Sequence, residues 1–244
     1  MTIDNPLSVD QARRTAGHPV RPASMPPAPS TAVAIIEGIA TGAPERVFDQ
    51  DAAALDVASM FDDDENRERI ARIYRKTRIT SRHLAVDPLG PGFAEFSKRP
   101  ATIRERMNLY LELAAPLAID VARRATAGVS SVDDIGMLAI VPSPGFVAPG
   151  ADVAVLRALD LPVTTNRVVV NFMGCAAAMN GIRSASDYVR AHPDRKALVI
   201  CLELSSVNAV FSEDPFAIIT HSLIGDGCGA VVIGACGVGN EQPA

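Results

Sequence analysis

The sequence has no tryptophan, and aromatic residues make up only 5% of its 244 positions. That leaves little from which to build the stacking platforms that hold single-stranded nucleic acid. Positive charge is not in excess either. The 23 lysines and arginines against 28 aspartates and glutamates give a formal net charge of −5. Non-specific nucleic-acid binding needs a strong positive field, so no nucleic-acid partner is expected. No apolar run reaches the roughly 18–20 residues of a membrane-spanning helix. Cysteines are few: Cys175, Cys201, Cys228 and Cys236, with no C-x-x-C pair among them. Zinc sites and disulfide frameworks want closer spacing, so the expectation is no metal and reduced, buried thiols in a cytoplasmic protein. There is no G-x-S-x-G elbow, no P-loop and no short tandem repeat.

What is present is enough for a sizeable core, with 48% hydrophobic and 21% charged residues. Residues 1–30 hold six of the 18 prolines and read as a flexible leader. From 31 onward, strand-like and helix-like segments alternate. Ala32 to Thr41, Ile135 to Val141, Arg167 to Phe172, Lys196 to Leu204 and Cys228 to Ala235 read as strands. The third of these reads as buried, and Pro142 and Pro144 are expected to end the second. Asp49 to Phe61, Asp62 to about Thr77, Thr102 to Thr126, Ala151 to Leu159 and Cys175 to Ala191 read as helices, with a bend at Pro116. Apolar strands separated by helices predict an α/β layered domain over 31–236. Residues 237–244 read as a short tail.

The stretch Val168-Val-Val-Asn-Phe-Met-Gly-Cys-Ala-Ala-Ala-Met-Asn-Gly-Ile182 is the most informative. A strand turns through Gly174 into a helix that opens on Cys175. A cysteine there faces unpaired N–H groups and the positive end of the helix dipole, which favour thiolate over thiol. On a helical wheel Cys175, Ala178, Met179, Ile182 and Val189 share one face, expected to be buried. The residues alone leave a nucleophile and an inert buried cysteine equally open. Of the four histidines, His18 falls in the leader, His83 in a polar loop and His192 after a helix. Only His221 is expected near a core. Gly225-Asp-Gly-Cys-Gly229 precedes a strand, not a helix, so it is no dinucleotide fingerprint. Arg69, Arg72 and Lys76 lie three and four apart and point one way, beside an apolar face of Ile70, Ile73 and Tyr74. The stripe reads as a solvated face or as a clamp for a phosphorylated carrier.

Together these residues resemble the type III polyketide synthases, the chalcone and stilbene synthase family within the thiolase fold. The resemblance covers about Ala32 to Ala235. It rests on Pro149-Gly-Ala-Asp152, the Gly174-Cys175 turn, Cys201-Leu-Glu203 and Leu223-Ile-Gly-Asp-Gly227, in that order. Gly-Cys-Ala-Ala-Ala-Met-Asn-Gly looks like the bacterial branch, whose members make alkylpyrones or alkylresorcinols. The resemblance implies a thiolase-like layered fold, a mixed sheet with helices on both faces, of which this is the N-terminal domain. It implies that Cys175 takes an acyl starter from acyl-CoA for decarboxylative condensation with malonyl-CoA, with no resident cofactor. Ser143, Ser205, Asn208 and Ile224 then match substrate-binding positions, Ile224 at the gatekeeper. Arg69, Arg72 and Lys76 match CoA-binding positions. Ala148 matches a residue that reaches the partner subunit of family homodimers.

The family's His and Asn belong to a C-terminal half that this sequence does not contain, and His221 does not match that histidine. The expectation is a synthase impaired in condensation. Two other readings stand beside it. One is a non-catalytic half-domain that binds a full-length homologue; the other is a hydrolase pairing Cys175 with His221.

Overall fold

The computed structural model describes residues 32–87, 90, 101–129, 131–209 and 214–237. The leader and the tail beyond Gly237 lie outside the described residues. All described residues belong to one compact unit. Its centre is a five-stranded sheet of β1 (Ala32–Gly42), β4 (Ile135–Ser143), β5 (Asn166–Val169), β6 (Lys196–Leu204) and β7 (Asp226–Gly237). The strand order is β1-β7-β6-β4-β5. β4 runs parallel to β5 and β6, whereas β7 runs antiparallel to β6 and β1, so the sheet is mixed. A two-stranded ribbon of β2 (Val47–Asp49) and β3 (Ser81–His83) stands apart from it.

Helices cover both faces. α3 (Ile103–Thr126) lies on one face and α5 (Ala177–Ala191) on the other. The strands show why. Along β4 and β6, Leu138, Ile140, Leu198, Ile200 and Leu202 pack with Tyr110, Ala114, Ala118 and Val121 of α3. The alternate residues Met137, Ala139, Ala197 and Val199 pack with Ala185 and Val189 of α5. A period of two inside a continuous apolar run buries both faces of a central strand. α3 starts at a capping box: the Glu105 N–H donates to Thr102 Oγ1 at 3.2 Å, and the Thr102 N–H donates to Glu105 Oε2 at 2.8 Å. It runs unbroken through Pro116, which sits on its exposed side.

α1 (Gln50–Ala58), α2 (Asp64–Lys76) and α6 (Pro215–Leu223) form a satellite cluster, in which Ala54, Val57, Phe61, Ile70, Tyr74 and Ile218 are buried. Asp63 caps α2, accepting from the Asn66 N–H at 2.7 Å. α4 (Ala151–Ala158) packs beside α3.

Three expectations are corrected here. β4 continues through Pro142 to Ser143 instead of ending there. Its pairing with β5 stops at Ile140, so one edge is already free and a missing N–H is tolerated. β5 ends at Val169 and is exposed rather than buried, because it is the last strand of the sheet order. The buried face of α5 is Ala177, Gly181, Ala185 and Val189. Met179 is 61% exposed and Cys175 precedes the helix, so the face read from the wheel is rotated.

Gly181 lets α5 approach the sheet: a Cβ there would lie 2.9 Å from Val141 Cγ2. Gly181→Ala gains helix propensity of about 1 kcal/mol but must push a stiff valine. A net loss of about 1–3 kcal/mol is expected in urea unfolding. A stabilised variant would show that the helix does not need this close approach.

Candidate active site

Cys175 lies in a 3-10 turn, Gly174–Ala176, that leads directly into α5. The turn is built from unusual backbone. Gly174 has φ 67°, in the left-handed region that glycine enters freely. Phe172 has φ 59°, a conformation that costs a bulky residue on the order of 1–2 kcal/mol. Asn171 braces it. Its Oδ1 accepts from the Phe172 N–H at 2.8 Å, and its Nδ2 donates to the Gly145 carbonyl at 3.1 Å. The Phe172 ring meets Phe146 edge-on, with centroids 5.5 Å apart. Cys175 is exposed as a result, not buried as the helical wheel suggested. The turn lifts it off the end of α5.

Cys175 opens onto a cavity of about 380 Å³ lined by Val141, Ser143, Val170, Ala178, Cys201 and Glu203 among others. Glu203 is its acidic wall. The Ser143 hydroxyl donates to Glu203 Oε1 at 3.1 Å, and the Ser205 hydroxyl donates to the same oxygen. Of the four residues expected at the substrate, Ser143 therefore lines the cavity and Ser205 reaches it through Glu203. Asn208 is exposed at the end of a second 3-10 turn, Ser205–Asn208, and Ile224 caps α6; neither lines the cavity. Nor do Arg69, Arg72 and Lys76. They sit on α2, with Arg72 and Lys76 exposed and Arg69 half-buried, while Ile70 and Tyr74 point into the satellite cluster as expected. The cavity lining includes no histidine. His221 lies on α6, which packs against α2.

A larger hollow of about 740 Å³ adjoins, sharing Pro142 with the first. Tyr110, Ala148, Val169 and the Asp152–Arg167 ion pair, 2.8 Å apart, line it. Burial pushes the Tyr110 phenol well above its ordinary range. Its lining includes no cysteine. Among the described residues, no three His, Cys, Asp or Glu side chains are grouped to hold a metal ion, and no helix is long and apolar enough to cross a membrane.

The segments around the site are held by buried polar side chains that the sequence reading missed. Asp226 accepts from the Ala85 N–H at 2.7 Å, from the Ser206 N–H at 3.0 Å and from the Ser206 hydroxyl. That fixes the turn carrying Ser205 and Asn208. Burial pushes the Asp226 carboxyl up, while these hydrogen bonds and the charge of Arg82 pull it back. Arg82 donates through Nε to Gln50 Oε1 at 2.8 Å and through Nη1 to the carbonyls of His221 and Ile224. Gln50 Nε2 donates to the Ser222 carbonyl at 2.8 Å. In Gly225-Asp226-Gly227 it is the aspartate that ties the Ser205–Asn208 turn to Ala85. Asp214-Pro215, a cap followed by proline at the first helical position, is the signal that could have found α6.

The thiols differ in their surroundings. Burial pushes the Cys228 thiol up to about 12 and raises that of Cys201. At pH 8, on the order of one Cys228 in ten thousand is then ionised. Iodoacetamide on the native protein should label Cys175 first and Cys228 last, read by peptide mass. Early labelling of Cys228 would contradict this burial.

The family model for chalcone and stilbene synthases, N-terminal domain, matches residues 26–237. The chain is 56% identical over 227 residues to the alpha-pyrone synthesis polyketide synthase-like Pks18 of Mycobacterium tuberculosis, covering 92% of this chain and 58% of that protein. It is 26% identical over 210 residues to a 3,5-dihydroxyphenylacetyl-CoA synthase of Streptomyces toyocaensis, covering 86% and 51%. Among solved structures, PKS-I from the brown alga Ectocarpus siliculosus matches with a TM-score of 0.79 at 38% identity, covering 86% of this chain and 58% of that one. The chain thus spans little more than half the length of these relatives.

Proposed function

The chain belongs to the chalcone and stilbene synthase family of type III polyketide synthases, and from that premise we propose that it carries the acyl-loading part of such an enzyme. The observation that supports this most is Cys175, exposed on a strained turn at the start of α5 and open to the cavity walled by Glu203. The Cys175 sulfur attacks the carbonyl carbon of an acyl-CoA. The bond from that carbon to the CoA sulfur breaks, and the CoA thiolate leaves and takes up a proton. The product is an acyl thioester on Cys175.

Ser143 and Ser205, held by Glu203, shape the cavity beside that thioester. Asn208 and Ile224 stand further out, on segments anchored by Asp226 and Arg82. Arg69, Arg72 and Lys76 are the proposed contacts for the CoA phosphates, and neither step uses a resident cofactor. Decarboxylative condensation with malonyl-CoA is the proposed activity of this chain together with the family's C-terminal half, which supplies the histidine and asparagine. A homodimer is the proposed assembly.

The test is to incubate the purified chain with a long-chain acyl-CoA and record its intact mass, then map the adduct. An acyl group on the peptide containing Cys175 supports loading. No adduct from a folded sample overturns it. That outcome favours a half-domain that binds a full-length homologue, a reading consistent with Phe172 and Met173 standing exposed at the cavity.

A further inference from the structure

The cavity in front of Cys175 holds a second thiol that acyl loading does not use. Cys201 is in the middle of β6, paired with Val141 of β4 and Gly229 of β7. Its side chain packs against Val141, Val170 and Ala177, and Ala177 is two residues from Cys175. Both cysteines line the same cavity. The other two do not. Cys228 is directly across from Leu202 and packs on the α3 face of the sheet. Cys236 pairs with Val33 near the end of β7.

We propose that Cys175 and Cys201 form a reversible disulfide when the protein meets hydrogen peroxide, which closes the nucleophile to acyl donors and shields it from irreversible oxidation. The consequence for loading rests on the function proposed above; the bond itself does not. The order of events follows from exposure. Cys175 is exposed and Cys201 half-buried, so peroxide reaches Cys175 first. The Cys175 sulfur attacks one peroxide oxygen, the O–O bond breaks, and hydroxide leaves and is protonated to water. Cys175 is then a sulfenic acid, oxidised by two electrons, and the peroxide is reduced. The Cys201 sulfur gives up its proton and attacks the sulfenic sulfur. The S–O bond breaks, and the departing hydroxide takes that proton and leaves as a second water.

A disulfide needs its Cα atoms about 4.4–6.8 Å apart, so any adjustment the bond requires falls to the side of the cavity that the backbone holds less firmly. β6 cannot give, since it is hydrogen-bonded on both edges. The Cys175 turn can, because the Asn171 and Phe172 contacts hold only its first residues and leave Gly174–Ala176 without a side-chain hydrogen bond. Residues 172–176 are exposed, and neither the 3-10 turn nor α5 has a side-chain cap at its start. Motion of that turn toward β6 carries Cys175 into its own cavity and out of reach of an acyl donor.

The experiment treats the full chain with a few-fold excess of hydrogen peroxide and no acyl-CoA, blocks remaining thiols, and maps peptides without reduction. The expected product has lost two hydrogens and joins the Cys175 peptide to the Cys201 peptide, and dithiothreitol restores both thiols. In Cys201→Ala, Cys175 should pass on to the sulfinic acid, and dithiothreitol should recover at least ten-fold less free Cys175 than in the parent. Cys228→Ala should behave as the parent does. Equal sulfinic acid in parent and Cys201→Ala overturns the proposal. So does a cross-link that joins Cys175 to Cys228 or to a second chain. Because no acyl donor is present, failure of acyl loading leaves these outcomes unchanged.

Discussion

Cys175→Ala is expected to lose the acyl adduct completely while unfolding at the temperature of the parent. The two halves of this expectation have separate causes. An alanine has no nucleophile, and the other described cysteine at the cavity, Cys201, is half-buried on a central strand and less open to an acyl donor. The thiol itself is exposed, and trimming an exposed side chain in a short turn changes stability by no more than about 0.5 kcal/mol. Loss of the adduct from a sample with an unchanged melting temperature therefore reports chemistry, not folding. An adduct that persisted in Cys175→Ala would move the acyl site to another residue. A melting temperature several degrees lower would show that Cys175 is packed more tightly than the structure has it.

Arg82→Met is expected to cost about 3–5 kcal/mol, because it leaves three acceptors without their donor, at about 1–3 kcal/mol for each that is buried. Arg82 is only 8% exposed and joins four elements. Its guanidinium donates to Gln50 of α1 at 2.8 Å and to the carbonyls of His221 and Ile224 at the end of α6, the latter at 2.9 Å. It also lies 5.8 Å over the Tyr74 ring of α2. Methionine fills much of the volume but supplies no donor, so buried acceptors are left unmade and the buried Asp226 carboxylate loses the nearby positive charge. Urea unfolding should show a lower midpoint at an unchanged slope. Arg72→Met, on the exposed side of α2, is the control and should stay within about 0.5 kcal/mol. A loss below about 1 kcal/mol at Arg82 would mean that water replaces its partners.

The five strands of the main sheet and five of the six helices were legible because their signals are local. Lys196 to Leu204 carries its apolar run openly, and Thr102 and Glu105 announce the start of α3. The three-residue strands β2 and β3 carry no such pattern; they form because Val47–Asp49 and Ser81–His83 pair across a separation that no local window spans. The exposure of β5 is not legible in the sequence for a related reason. Arg167 to Phe172 has the composition of a central strand, and only its place at the end of the sheet order sets how much of it is covered. The buried face of α5 differs from the wheel's because Cys175 belongs to the 3-10 turn and not to the helix. A single extra turn of 3-10 geometry shifts every later position around the axis.

The sequence by itself determined the layered α/β class, the family, and Cys175 as the residue to watch, since helix starts, apolar periods and short motifs are written in neighbouring residues. The tertiary structure alone decided which side chains meet around that cysteine. Glu203, Ser143 and Cys201 reach one cavity because β4 and β6 lie side by side in parallel, a pairing between residues about sixty positions apart. Arg82, Gln50 and Asp226 are ordinary polar residues in the sequence. They become structural only because folding buries them, and a buried polar group must find partners wherever the chain has brought them.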